Sequence, residues 1–136
     1  MKVDLEFTSG TALHMQAGAY ALIHDTDDRL LLVRADNGRF YLPGGRIEPG
    51  ETAGQALARE VEEECGWLVR VTDPLGEALQ PIMDGAVMLR ASYWRAEILG
   101  VAHEEPEHLM LWTPRAEAAS RVHRAADASA ILSIPG

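Results

Sequence analysis

The sequence predicts an α/β domain, a mixed β-sheet covered by helices on its faces. Three observations lead there. Short β-rich runs recur along most of the chain. Between residues 53 and 65 the apolar spacing becomes helical, bounded by a capping signal and a glycine stop. The chain closes in an alanine-rich stretch that again reads as helix. No internal repeat or linker interrupts it, so residues 1–136 are expected to form one domain.

In chain order, residues 3–7 alternate Val3, Leu5 and Phe7 with polar neighbours, which is a strand pattern and not a signal peptide. Residues 17–24 read as a second strand and 29–35 as a buried third, joined into a hairpin by the polar turn at 25–28. A short strand at 38–42 runs into Pro43-Gly44-Gly45. Pro49-Gly50 fits the centre of a type II turn. Thr52 and Gln55 form a capping box, and Gly66 ends the helix, which gives a helix over 53–65. Strands follow at 68–72, 74–80, 87–98 and 108–113. Pro114 suits the first position of a short helix, and 124–132 forms the last one.

Composition narrows the function. The chain has 21 acidic against 12 basic residues and a net charge of -9, a poor match for a nucleic-acid polymer. A small phosphorylated ligand bridged by metal stays compatible. The single Cys65 cannot form an intrachain disulfide and reads as a small buried hydrophobe. No apolar run approaches the ~20 residues of a membrane span. A cytoplasmic setting without membrane attachment is the expectation.

The helix at 53–65 is crowded with like charge: Glu60, Glu62, Glu63 and Glu64. At about 100° per residue, with Glu60 at zero, Glu64 lies near 40° and Glu63 near 300°. Those three share a face, while Glu62, near 200°, points away to solvent. Gly54, Leu57, Ala58, Val61 and Cys65 form an adjacent apolar stripe that should pack on the sheet. Carboxylates one turn apart repel and raise one another's pKa, and a hard divalent cation reverses that cost.

The surrounding frame sharpens this reading. Gly45, then five residues and Glu51, then seven residues and Arg59-Glu60, then Val61, Glu63-Glu64, Gly66 and Trp67 follow the pattern G-x5-E-x7-R-E-U-x-E-E-x-G-U, U being bulky and apolar. The chain therefore resembles the Nudix hydrolase family, with the box complete at residues 45–67. Trp67 stands where the family usually has an aliphatic residue, and a packing adjustment is expected there.

The resemblance implies a Nudix-type α/β/α sandwich with the box as loop–helix–loop. It implies a Mg²⁺-dependent pyrophosphohydrolase, with Mn²⁺ able to substitute. Water would attack phosphorus in a nucleoside diphosphate linked to a group X, releasing a nucleoside monophosphate. A non-catalytic nucleotide-binding module of the same fold is the alternative. Glu60, Glu63 and Glu64 are the implied metal ligands, with Glu60 or Glu64 the base inside the box. Arg59 could touch phosphate, but its place beside Glu63 favours pairing with Glu51 or Glu63 to orient a carboxylate. Glu51 is the implied structural partner of Arg59. A carbonyl at Gly44 or Gly45 is a candidate ligand, and Glu104 or Glu105 a candidate acid from a distal loop. His103 and His108 need no special role. Arg46, Arg34 and Tyr41 are the substrate-binding candidates, Arg46 because it sits in the box loop. The expected partner is a small nucleotide derivative, and the segment at 3–7 leaves a homodimer as an expectation.

Overall fold

The computed structural model describes residues 14–134. The chain runs β1 (His14–Leu22), β2 (Arg29–Arg34), β3 (Phe40–Tyr41), β4 (Gly44–Arg46), α1 (Ala53–Cys65), β5 (Trp67–Ile82), β6 (Val87–Val101), β7 (Leu109–Pro114), α2 (Arg115–Arg121) and α3 (Ala125–Ser133). The expected strand at 3–7 lies outside the described residues.

The strands form two sheets, ordered β4-β1-β6-β5 and β3-β2-β7. The first is mixed: β1 runs parallel to β6, while β4 and β5 join antiparallel. Alternation along β1 and β2 divides the interior in two. Ala19, Ala21, Ile23, Leu31 and Val33 pack against Leu57, Val61 and Cys65 of α1. Tyr20, Leu22, Leu30 and Leu32 pack on the other side with Ala118 of α2 and Ile131 of α3. Helix, sheet, helices is the layering, as the resemblance implied.

Several expectations need correction. Strands β1 and β2 do not form a hairpin ladder. One antiparallel bridge, His24 to Leu30, marks the turn, after which the strands part into different sheets. The β2 ladder is taken up by β3 and β7. The segments 68–72 and 74–80 are one strand. Pro74 has no N–H to give the ladder, so the register slips on either side of it instead of ending. Pro114 is the N-cap of α2, not its first residue: its ψ of 143° is extended and it still pairs with Arg29. The strand at 38–42 shortens to two residues. Among the described residues, no helix is long and apolar enough to cross a membrane.

Candidate active site

Helix α1 forms as the sequence requires. The Gln55 amide donates to Thr52 Oγ1 at 3.1 Å, and Gln55 Oε1 accepts from the Thr52 amide at 2.9 Å. Upstream, the Glu51 amide closes a turn on the Glu48 carbonyl at 3.0 Å, with Gly50 at φ +86°. That is the type II geometry expected of Pro49-Gly50. At the other end Gly66 takes φ +76° and its amide donates to the Glu62 carbonyl. Trp67 stacks on Trp112, centroids 6.1 Å apart, which is how the unusual aromatic at the end of the box is accommodated.

Arg59 organises the acidic face. Its Nε and Nη2 donate to Glu51 Oε2 and Oε1 at 2.7 and 3.0 Å, a two-pronged grip across eight residues. Nη1 reaches Glu60 Oε2 at 3.3 Å and Glu63 Oε2 at 3.6 Å. Nη2 also donates to the Arg46 carbonyl at 3.1 Å, tying helix to box loop. The guanidinium and the Glu48 amide hold the Glu51 carboxyl down at about 2. The pairing expected between Arg59, Glu51 and Glu63 is therefore the arrangement found. Glu62 is exposed to solvent.

Glu64 is the buried member, 9% exposed. Its Oε1 accepts the Gly44 amide at 3.1 Å. Gly44 thus enters the site through its N–H. It needs to be glycine: φ is +140° and a Cβ would collide with the Ala19 carbonyl oxygen. Gly45 is constrained less: a Cβ there would lie 2.5 Å from the Glu60 carboxylate, the end of a side chain that would have to shift. Loss of solvent pushes Glu64 up to about 8, outweighing the Gly44 hydrogen bond, and Glu60, Glu107 and Glu63 add repulsion. Glu60 is raised as well, first by burial, with Arg59 opposing and Glu63 and Glu107 adding to it.

The donor set fits a hard dication. It consists of carboxylate oxygens at successive turns, two of them pushed up by burial and further by neighbouring carboxylates. Among the described residues no three Asp, Glu, His or Cys side chains already converge into a cage. Arg59 lies between Glu60 and Glu63 in this arrangement.

The distal loop contributes differently from expectation. Glu104 and Glu105 are exposed, and the Glu105 amide turns back to His103 Nδ1 at 3.2 Å. Glu107 is the acid whose charge acts on both Glu60 and Glu64. The reason is how the loop docks. The amides of Ala102 and His103 donate to the Gly66 carbonyl, that of Glu107 to Glu63 O, and that of His108 to Glu64 O. Carbonyls that the end of a helix leaves unpaired thus fix the loop. His108 lines the cleft beside Glu64, with its buried Nδ1 unpartnered.

Of the substrate candidates, Arg46 and Tyr41 line the cleft that holds Glu64, while Arg34 is exposed and is not among its lining residues. Tyr20 and Arg124 also line it; the sequence offers Tyr20 as a ring for stacking or, more readily, for core packing, and of the two only Arg124 was not singled out. Arg124 lies about 60 residues beyond the box, and no local pattern marks it. Glu107 was hidden inside an acidic run in which every residue looked alike.

Residues 14–132 match the family described as "NUDIX domain". Over 66 residues the chain is 39% identical to the ADP-ribose pyrophosphatase of Methanocaldococcus jannaschii, covering 46% of this chain and 39% of that protein. Over 65 residues it is 45% identical to a MutT-like protein of Streptomyces ambofaciens, covering 47% of this chain and 42% of that one. The matches thus span less than half the length of these curated relatives. The crystal structure of MutT protein from Methanosarcina mazei Go1 superposes with a TM-score of 0.76 at 22% identity, covering 95% of this chain and 94% of that one, a likeness of fold.

Proposed function

The chain belongs to the NUDIX domain family, and from its site we propose a pyrophosphohydrolase that uses a divalent metal, Mg²⁺ or in its place Mn²⁺. It would hydrolyse a nucleoside diphosphate linked to X and release a nucleoside monophosphate. One observation supports this most: Glu60 and Glu63 are oriented by an Arg59 that Glu51 holds with both oxygens, and Glu64, on the same helix, lines the adjoining cleft.

In this reading Glu60, Glu63 and Glu64 hold the metal, with Glu107 as the distal acid. The metal supplies positive charge against the polyphosphate and a more acidic bound water. Arg59 orients carboxylates and does not contact phosphate, because its donors are already committed within the site. Gly44 fixes the carboxylate of Glu64. Between the two base candidates, Glu64 is the better proton acceptor: it makes no ion pair, whereas Glu60 is engaged by Arg59. Arg46 and Tyr41, which line the cleft, would meet the substrate. ADP-ribose, nucleotide sugars and nucleoside triphosphates are the substrates to try.

A panel of these, assayed for nucleotide and phosphate products, tests the reading. Monophosphate release should need Mg²⁺ and stop with EDTA. Glu63→Gln should lower it by about a hundredfold or more, the scale of losing one electrostatic catalytic group. Tight nucleotide binding with no turnover across the panel would instead identify a binding module.

A further inference from the structure

The cleft beside Glu64 shares Tyr41 and Arg124 with a neighbouring cavity of about 450 Å³. Arg39, His123, Arg124, Tyr41, Met83 and Asp84 line this second space. Arg124 is held between two rings, its guanidinium carbon 5.0 Å from the Tyr41 centroid and 5.6 Å from that of Tyr20. Its Nη1 donates to the Tyr20 hydroxyl at 3.1 Å. Arg39 Nη1 donates to His123 Nε2 at 3.0 Å, and the His123 ring stands edge-on to Tyr41.

The Tyr20 ring is itself fixed. A Cβ on Gly18 would fall 2.8 Å from its hydroxyl, and one on Gly44 2.9 Å from its Cδ1. Two glycines on neighbouring strands thus make the slot for the ring that positions Arg124. The same Gly44 holds Glu64.

Charge makes this cavity unusual. The chain has 21 acidic residues to 12 basic. Arg29, Arg46, Arg59, Arg70 and Arg121 each pair with a carboxylate. Among the described residues Arg39 and Arg124 form no such pair, yet they line the same space. Guanidinium groups offer donors and no acceptor. Among the described residues Asp84 is the one carboxylate lining the cavity, on the turn after β5.

The geometry points to this cavity as a subsite for an anionic group, phosphate or carboxylate, at the end of the substrate remote from the scissile pyrophosphate. The assignment rests on the hydrolase reading for the placement of the pyrophosphate at the glutamates. Arg124 and Arg39 become specificity residues: they select a nucleotide derivative charged at both ends over one whose remote end is neutral.

Matched ligand pairs test this. UDP-glucuronate is compared with UDP-glucose, and ADP-ribose bearing a phosphate on its terminal ribose with ADP-ribose itself. Affinities are read by calorimetry with Ca²⁺ and again without metal, and turnover is followed separately with Mg²⁺. The charged member should bind tighter by about tenfold, the value of one charge-assisted hydrogen bond. The pair with the larger ratio says whether carboxylate or phosphate is the better occupant. Arg124→Met and, on the exposed loop, Arg39→Gln should each shrink that ratio toward one. Equal affinity within both pairs, or a ratio unchanged in both variants, overturns the subsite. Tight binding of the charged member without turnover refutes the hydrolase reading alone, and equal turnover and binding of both members refutes the subsite alone.

Discussion

Glu64 carries a tension that no other residue of the box shares. It is buried, accepts one backbone amide and has no cation beside it, and its carboxyl is pushed from about 4.5 to about 8. In metal-free protein the folded state therefore keeps a proton that the unfolded chain gives up. Stability should fall as pH rises from about 4.5 to about 8, by up to about 1.4 kcal/mol per pH unit from this one group. Glu60, raised in the same direction, adds to the slope. Thermal unfolding in EDTA across that range reads the effect. Glu64→Gln should flatten most of it, and excess Mg²⁺ should reverse it in the parent protein. A profile that is flat in the parent would contradict the burial argument. At this scale the sequence was legible where chemistry follows spacing. Glu60, Glu63, Glu64, Arg59 and Glu51 stand where the box frame predicts them, because a helix fixes neighbours three and four apart. Arg124 and Glu107 were illegible because strand pairing and loop docking bring them in, and neither leaves a local mark.

Among the elements, α1 was the easiest to read, since its capping box, turn and glycine stop are all local chemistry. The hairpin between β1 and β2 was misread for the complementary reason. A polar turn between apolar runs says the chain reverses, but not which neighbour each strand takes. The two ends of the box helix offer a paired test. Gly50 and Gly66 both have positive φ, but a Cβ at Gly50 would meet nothing within 4 Å, whereas one at Gly66 would collide with the His103 carbonyl oxygen. Gly50→Ala should cost about 1 kcal/mol, the conformational penalty alone. Gly66→Ala should cost at least about 2 kcal/mol more, on the scale of overpacking. It should also weaken dication binding, because the loop that brings Glu107 is displaced. Denaturant unfolding and a metal titration of both variants check this, and equal costs would mean the docked loop yields freely.

Over the whole molecule, the two interiors lie on opposite faces of shared strands. Neither can open without disturbing β1 and β2, so unfolding should be a single cooperative step. Trp67, Trp94 and Trp112, the chain's three tryptophans, pack on the α1 side, whereas Ile131 is buried on the other. Ile131→Ala should cost about 2–5 kcal/mol. Tryptophan fluorescence, though it reports only the far side, should shift as much as the far-ultraviolet circular dichroism does. Transitions that separate would show that the halves unfold independently. The layered class was legible from interleaved strands and helices. The split into two sheets was not, since alternation in β1 shows two faces without showing what covers each.

Strand β5, at the margin of its sheet, absorbs three register shifts along its length. Strand β1 has no such latitude. It is paired on both edges, and its odd and even positions answer to different helices. Deleting one residue between Gln16 and Leu22 would invert its parity. Tyrosine and leucine would swing under the box helix, small alanines would face the C-terminal pair, and both halves of the molecule would be mis-built by one codon.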